Sequence, residues 1–161
     1  SYEIDSRYTL AQSVALIGTT GTQSFTPGTF LDYDGAGMQA VGRIAEIRGL
    51  RNWATLARTR VFDLCAMPDA DYLQFDPNPA IAGGARSSAN ETINFAQMVI
   101  DQGVFNSARV LSNESIERLF TNSTQNLPTV HTPWPATHPD YPYGHQPDYG
   151  FGDWIFAQNP S

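Results

Sequence analysis

Lysine is absent from this sequence, and all nine basic residues are arginine. A Schiff base or a lysine general base therefore cannot come from this chain alone. A single cysteine, Cys65, excludes an internal disulfide and a cysteine-built zinc site. Its flanks, Leu64 and Ala66, point to a buried, inert thiol. Charge is sparse, at 16% of residues, and the formal net charge of −7 argues against nucleic acid and anionic membrane as partners. Phosphate is held by clustered cations, which this chain lacks. Long apolar runs are missing as well. Stretches such as Val14-Ala15-Leu16-Ile17 fall far short of the roughly 20 residues that cross a bilayer, and no basic-then-apolar leader pattern opens the sequence.

What is present is a chain of 161 residues with 41% apolar content, enough for one globular domain with a core. Five segments carry helical signals. In "DSRYTLAQSVALIG", Asp5 or Ser6 is the expected N-cap, Leu10, Val14 and Ile17 share a face, and Gly18 is the expected stop. "GAGMQAVGRIAEIRG" puts Met38, Val41, Ile44 and Ala45 on one stripe and closes on Gly49. "LRNWATLARTRVF" repeats Trp53, Leu56, Ala57 and Val61 at the spacing of one buried helix face. Ser88 and Glu91 form a capping box for a fourth helix, with Ile93, Ala96 and Ile100 aligned, Phe95 and Val99 widening that face, and Gly103 as its end. "NESIERLF" follows Ser112 and is expected to bury Ile116, Leu119 and Phe120. Asn90, Asn113 and Asn122 stand in glycan-acceptor sequons, and at the first two a helix-capping role is the simpler reading.

The helical part thus covers about residues 5–121, with an ordered loop between the third and fourth helices. A proline- and aromatic-rich loop follows over about 127–148, then a strand over about 149–156 that finds no partner in this chain and belongs to a sheet lying elsewhere. Together these are expected to form a single partial domain. His131, His138 and His145 recur every seven residues among prolines that fix no common face, a spacing that suits turns better than a metal site. Neither a metal nor a cofactor is expected. Tyr141, Tyr143 and Tyr149 could wall a cleft or cover a surface.

Tyr33 stands where an extended run, "FTPGTFLDY", hands over to the glycine-rich start of the second helix. A half-buried tyrosine capping a backbone group is one reading, and a phenol presented to a cleft is the other. Gly35, Gly37 and Gly42 weaken the helix, which suggests close backbone packing. Unpaired N–H groups at the helix start would favour a phenolate beside it.

The run "PGTFLDYDGAGMQAVGRIAEIRGLRNWATLARTRVFDLCAM" resembles the region around the second motif of the serine β-lactamase-related proteins. That family includes class C β-lactamases, D-alanyl carboxypeptidases and family VIII esterases. "AGGARSSANETINFAQMVIDQGVFNSARVLSNESIERLF" and "YGFGDWIF" resemble the segments that follow in the same family, in the same order. The resemblance implies a mainly α chain with a C-terminal strand, the helical-domain portion of a β-lactamase/transpeptidase-like α+β fold. It further implies a serine hydrolase working through an acyl-enzyme on a small-molecule ester or amide, with Tyr33 as the catalytic tyrosine and Gly35 and Tyr149 at the substrate. The nucleophile and lysine of Ser-x-x-Lys, and the late His/Lys-x-Gly motif, would lie on remaining segments of the same hydrolase domain, so that this chain alone is silent. Gly35 replaces the family's asparagine, which favours esters or small amides over β-lactams. An exported, extracytoplasmic protein is the family's usual setting. A non-catalytic binding or structural protein on the same scaffold is the alternative.

Overall fold

The computed structural model describes residues 5–22, 25–124, 127–131, 148–152 and 154–155. The chain divides into two compact units, Ser1–Thr22 with Asp34–Leu111, and Gln23–Tyr33 with Ser112–Ser161.

The first unit is helical. Helix α1 spans Leu10–Thr20 and is capped by Thr9, whose side chain accepts the Gln12 N–H while the Gln12 side chain accepts the Thr9 N–H. The expected caps Asp5 and Ser6 are therefore displaced: Thr9 also has a matching glutamine three residues on, and its backbone is extended. Asp5 instead takes the Arg7 guanidinium, which holds its carboxyl at about 2. Nor does Gly18 stop the helix, which ends where the Gly21 N–H bonds to the Ile17 carbonyl.

Helix α2, Gly35–Gly49, has the expected bounds but the opposite buried face. Gln39 and Gly42 are buried, whereas Val41 and Ile44 are 58% and 59% exposed. The cause is the segment 78–81, whose polar groups need a partner. Gln39 Nε2 donates to the Pro79 carbonyl at 3.1 Å and to Asn78 Oδ1 at 3.2 Å, and its Oε1 accepts the Ile81 N–H at 2.7 Å. Gly42 lets that segment approach, since a Cβ there would lie 2.5 Å from Ile81 Cγ1. Close packing thus explains Gly42, while Gly37 meets only the Asp34 carboxylate.

The third helix is broken in two. Asn52 caps α3, Trp53–Ala57, which widens into a π-helical turn over Arg58–Phe62. The wider turn makes Phe62 the buried residue in place of Val61. Arg58 closes the following loop by donating to the Met67 carbonyl at 2.9 Å and to the Ala70 carbonyl, with its guanidinium 5.6 Å from the Phe62 ring. Cys65 is fully buried and its thiol is pushed up by that burial, so the inert thiol read from its neighbours is what the structure holds.

Helix α4, Ala89–Ile100, opens with the expected capping box of Ser88 and Glu91. Glu91 turns inward, because its other oxygen accepts the Asp69 N–H at 2.7 Å. N–H donation from Ser88, and then from Asp69, holds its carboxyl below the usual carboxylate range. Met98 shares the buried face, so the expected core stripe is reversed: Ile93 and Ile100 are exposed. Beyond α4, Gly103 adopts a φ of 86° and a hairpin follows, β2 (Val104–Phe105) with β3 (Ala108–Arg109).

In the second unit, β1 (Leu31–Asp32) pairs in parallel with β4 (Thr129–His131), so the proline-rich segment begins as a strand. Helix α5, Asn113–Phe120, follows Ser112 as expected, is capped by it, and buries Ile116, although Phe120 is half exposed. The expected single C-terminal strand is a hairpin instead. Asp148–Tyr149 forms β5 and Trp154–Ile155 forms β6, and the two pair antiparallel. Gly152, at φ 98°, turns the chain back, so β5 finds its partner in the residues that were expected to extend it. The serines cap α4 and α5, not Asn90 or Asn113.

Candidate active site

Tyr33 directly follows β1, whose Leu31 N–H bonds to the Pro128 carbonyl at 2.9 Å. Its side chain is half-buried, and its ring meets that of Tyr149 edge-on, with centroids 5.7 Å apart and an interplanar angle of 78°. In such an edge-to-face pair the edge of one ring rests on the face of the other, so each restrains the other. Two of the three residues expected at the site are thus brought together within one unit.

Tyr149 is positioned by a polar cluster that the sequence reading did not single out. The Tyr149 N–H donates to Thr124 Oγ1 at 3.2 Å, and the Tyr149 carbonyl accepts the Ser123 N–H at 2.9 Å. Thr124 is buried, and its Oγ1 lies 3.0 Å from Asn122 Oδ1 and 3.2 Å from Asp148 Oδ1, either of which can accept its proton. Asn122 Oδ1 also accepts the Thr124 N–H, forming an Asx turn. Asn122-Ser123-Thr124 reads first as a sequon, but the same Asn-x-Thr pattern is the signal for this turn. Gly150 has no room for a side chain, since a Cβ would fall 2.1 Å from the Leu119 carbonyl oxygen. That oxygen accepts the Phe151 N–H at 3.2 Å and ties the hairpin to α5.

Gly35, the third expected residue, opens α2 in the other unit. The residue before it, Asp34, caps the helix by accepting the Gly37 N–H at 2.7 Å. The helix start therefore already holds a carboxylate. Tyr141, Tyr143, His138 and His145 lie outside the described residues, as does the His131 side chain. Among the described residues no three His, Cys, Asp or Glu side chains group to hold a metal, and no helix is long and apolar enough to cross a membrane.

A concavity lies in the helical unit. A cavity of about 610 Å³ is lined by Ala45 of α2 together with Trp53, Leu56, Val61, Met67 and Phe95. Burial pushes up the Tyr72 phenol in its wall. The Trp53 ring stands edge-on to Tyr72, 5.4 Å between centroids.

No protein-family model matches the sequence, and comparison with curated proteins gives no match. Solved structures do match. A provisionally designated beta-lactamase from Bacteroides dorei DSM 17855 aligns with a TM-score of 0.77 and 23% identity, over 93% of this chain and 45% of that one. A penicillin binding protein from Bacillus halodurans aligns with a TM-score of 0.68 and 17% identity, over 98% of this chain and 49% of that one. These likenesses establish a β-lactamase/penicillin-binding-protein-like fold, and the chain spans about half the length of each structure.

Proposed function

We propose that this chain is the helical-domain portion of a β-lactamase-related serine hydrolase that acts on an ester or small amide through an acyl-enzyme. The observation that carries this reading is the placement of Tyr33. In a chain with this fold, the tyrosine of the "PGTFLDYDG" run sits at the exit of β1, half-buried against Tyr149. In the proposed mechanism a serine supplied by another segment attacks the carbonyl, and Tyr33 relays its proton to the leaving group. Water then releases the acyl group. An unperturbed phenol titrates near 10, so relay at neutral pH requires a nearby cation that lowers it. The resemblance makes that cation a lysine, and with none in this chain it would come from a segment outside it. Gly35 offers no side-chain amide to a substrate, which favours simple esters over β-lactams. Tyr149 restrains the Tyr33 ring and forms part of the substrate wall.

Intact-mass measurement after incubation with a fluorophosphonate tests the assignment. The complete protein should gain one adduct and this chain none. An adduct on the 161-residue chain would place the nucleophile here and overturn the reading, whereas a complete protein that never labels would leave only a non-catalytic scaffold. Hydrolysis of nitrocefin by the complete protein as fast as simple esters would overturn the substrate preference.

A further inference from the structure

Among the described residues of its unit, Thr124 is the only buried polar side chain, and its one hydroxyl serves two consecutive residues of β5. A hydroxyl carries one proton and two lone pairs. Here the oxygen accepts the Tyr149 N–H at 3.2 Å, which leaves a single proton for Asn122 Oδ1 at 3.0 Å or Asp148 Oδ1 at 3.2 Å. Asn122 Oδ1 already has a donor, the Thr124 N–H at 2.9 Å. A carboxylate is the stronger acceptor, so the proton belongs to Asp148. Thr124 thereby grips the amide of one residue and the side chain of the residue before it. On the other side of the Tyr149 Cα, the Tyr149 carbonyl is held by the Ser123 N–H at 2.9 Å. With the peptide groups on both sides fixed, the Cα–Cβ bond of Tyr149 has one direction, and its ring is set edge-on to Tyr33.

We propose that Thr124 is a positioning residue of the hydrolase site, whose hydroxyl, donating to Asp148, sets the Tyr149 ring that keeps the Tyr33 phenol aimed. It touches neither the substrate nor the reacting atoms, and acts only through Tyr149. The proposal rests on Tyr33 acting in the hydrolase read above, and adds the residue that fixes its aim. Valine at position 124 would keep the volume and lose both hydroxyl bonds. Serine would keep both.

Two measurements on the complete protein test it. The first is ester hydrolysis; the second is the fluorine NMR spectrum of protein carrying 3-fluorotyrosine, with the Tyr33 resonance assigned by its loss in Tyr33→Phe. Thr124→Val should lower kcat about tenfold with KM changed less than about twofold, since a slightly misaimed group costs on this order. It should also move the Tyr33 resonance. Thr124→Ser should return the resonance to its wild-type position and kcat to within about twofold of wild type, because the hydroxyl is kept. In a Tyr149→Ala background there is no ring to position, so Thr124→Val should cost no further activity. Should Thr124→Val fail to fold by circular dichroism, Asp148→Ala, which removes only the acceptor, is measured in its place with the same expected pattern. A Tyr33 resonance that stays put in the folded variant would overturn the proposal, whatever the activity. So would an undiminished loss of kcat in the Tyr149→Ala background, which would give Thr124 a purely structural role. A moved resonance in a protein that takes no fluorophosphonate would refute the hydrolase reading alone, since the ring pair would still depend on Thr124.

Discussion

Replacing Gly42 by alanine sets two opposing effects against each other. A methyl at that position would lie 2.5 Å from Ile81 Cγ1, 2.6 Å from Cδ1 and 3.3 Å from Cγ2. Carbon pairs are comfortable at about 3.5–4.0 Å. Turning Ile81 about χ1 moves one branch away and swings the other in. The backbone cannot withdraw freely, because its N–H is bonded to Gln39 at 2.7 Å. Overpacking of this kind costs about 1–3 kcal/mol. Alanine in place of a helical glycine returns about 1 kcal/mol. Gly42→Ala should therefore destabilise by roughly 1 kcal/mol, the difference between the two terms. In an Ile81→Ala background the clash is gone, and the same substitution should become stabilising by up to about 1 kcal/mol. Urea unfolding of the four proteins of this cycle, followed by far-UV circular dichroism, measures both signs. If Gly42→Ala stabilises equally with isoleucine or alanine at 81, the close approach of the loop to α2 is not real and the argument fails.

Gln39→Leu removes the partner of the Ile81 N–H, the Pro79 carbonyl and Asn78 Oδ1, and should cost about 3 kcal/mol with faster hydrogen exchange at Ile81. An unchanged urea midpoint would contradict the network. Glu91 has a carboxyl lowered in the folded state from 4.5, so its contribution is present above that value and lost as pH falls through the lower folded one. Wild-type protein should lose stability on acidification below pH 4.5 more steeply than Glu91→Gln, and parallel profiles would refute the assignment. On the proposed reading, Tyr33→Phe in the complete protein should lower kcat by about 10²-fold or more with KM little changed, and a loss under about twofold would remove the phenol from the mechanism.

Some caps and helix bounds were legible in the sequence because they depend on neighbours three or four residues away, although the cap and stop of α1 and the break in the third helix were not. The Ser88/Glu91 box, the start of α5 after Ser112 and the bounds of α2 are all local matters. The inward faces were not legible. Glu91 and Gln39 are polar, yet each satisfies backbone groups of a distant segment, and that draws its side of the helix inside. Periodicity reports which residues are apolar, not which are covered within this chain, so Val41, Ile44 and Ile100 were read as core. The C-terminal hairpin escaped for another reason. The alternation in "YGFGDWIF" looks continuous, and only the positive φ of Gly152 reveals the reversal. At the candidate site, the strand-to-helix handover around Tyr33 was visible locally, whereas the cluster of Asn122, Thr124 and Asp148 depends on residues 24 apart in sequence.

At the far end of α2 the left-handed turn falls on Leu50, φ 54°, although a glycine stands one place earlier. Gly49 is committed elsewhere, since a Cβ on it would come within 2.5 Å of Leu56 Cδ2. Sliding the helix by one residue to put glycine into the turn would bring Arg48 against Leu56. It would also rotate every side chain by about 100° and carry Gln39 off its three partners. The helix is thus indexed from its last turn like a keyed shaft. Fifteen residues, about 22 Å, separate that key from the cap at Asp34, so a slip at one end would be felt as misalignment at the other.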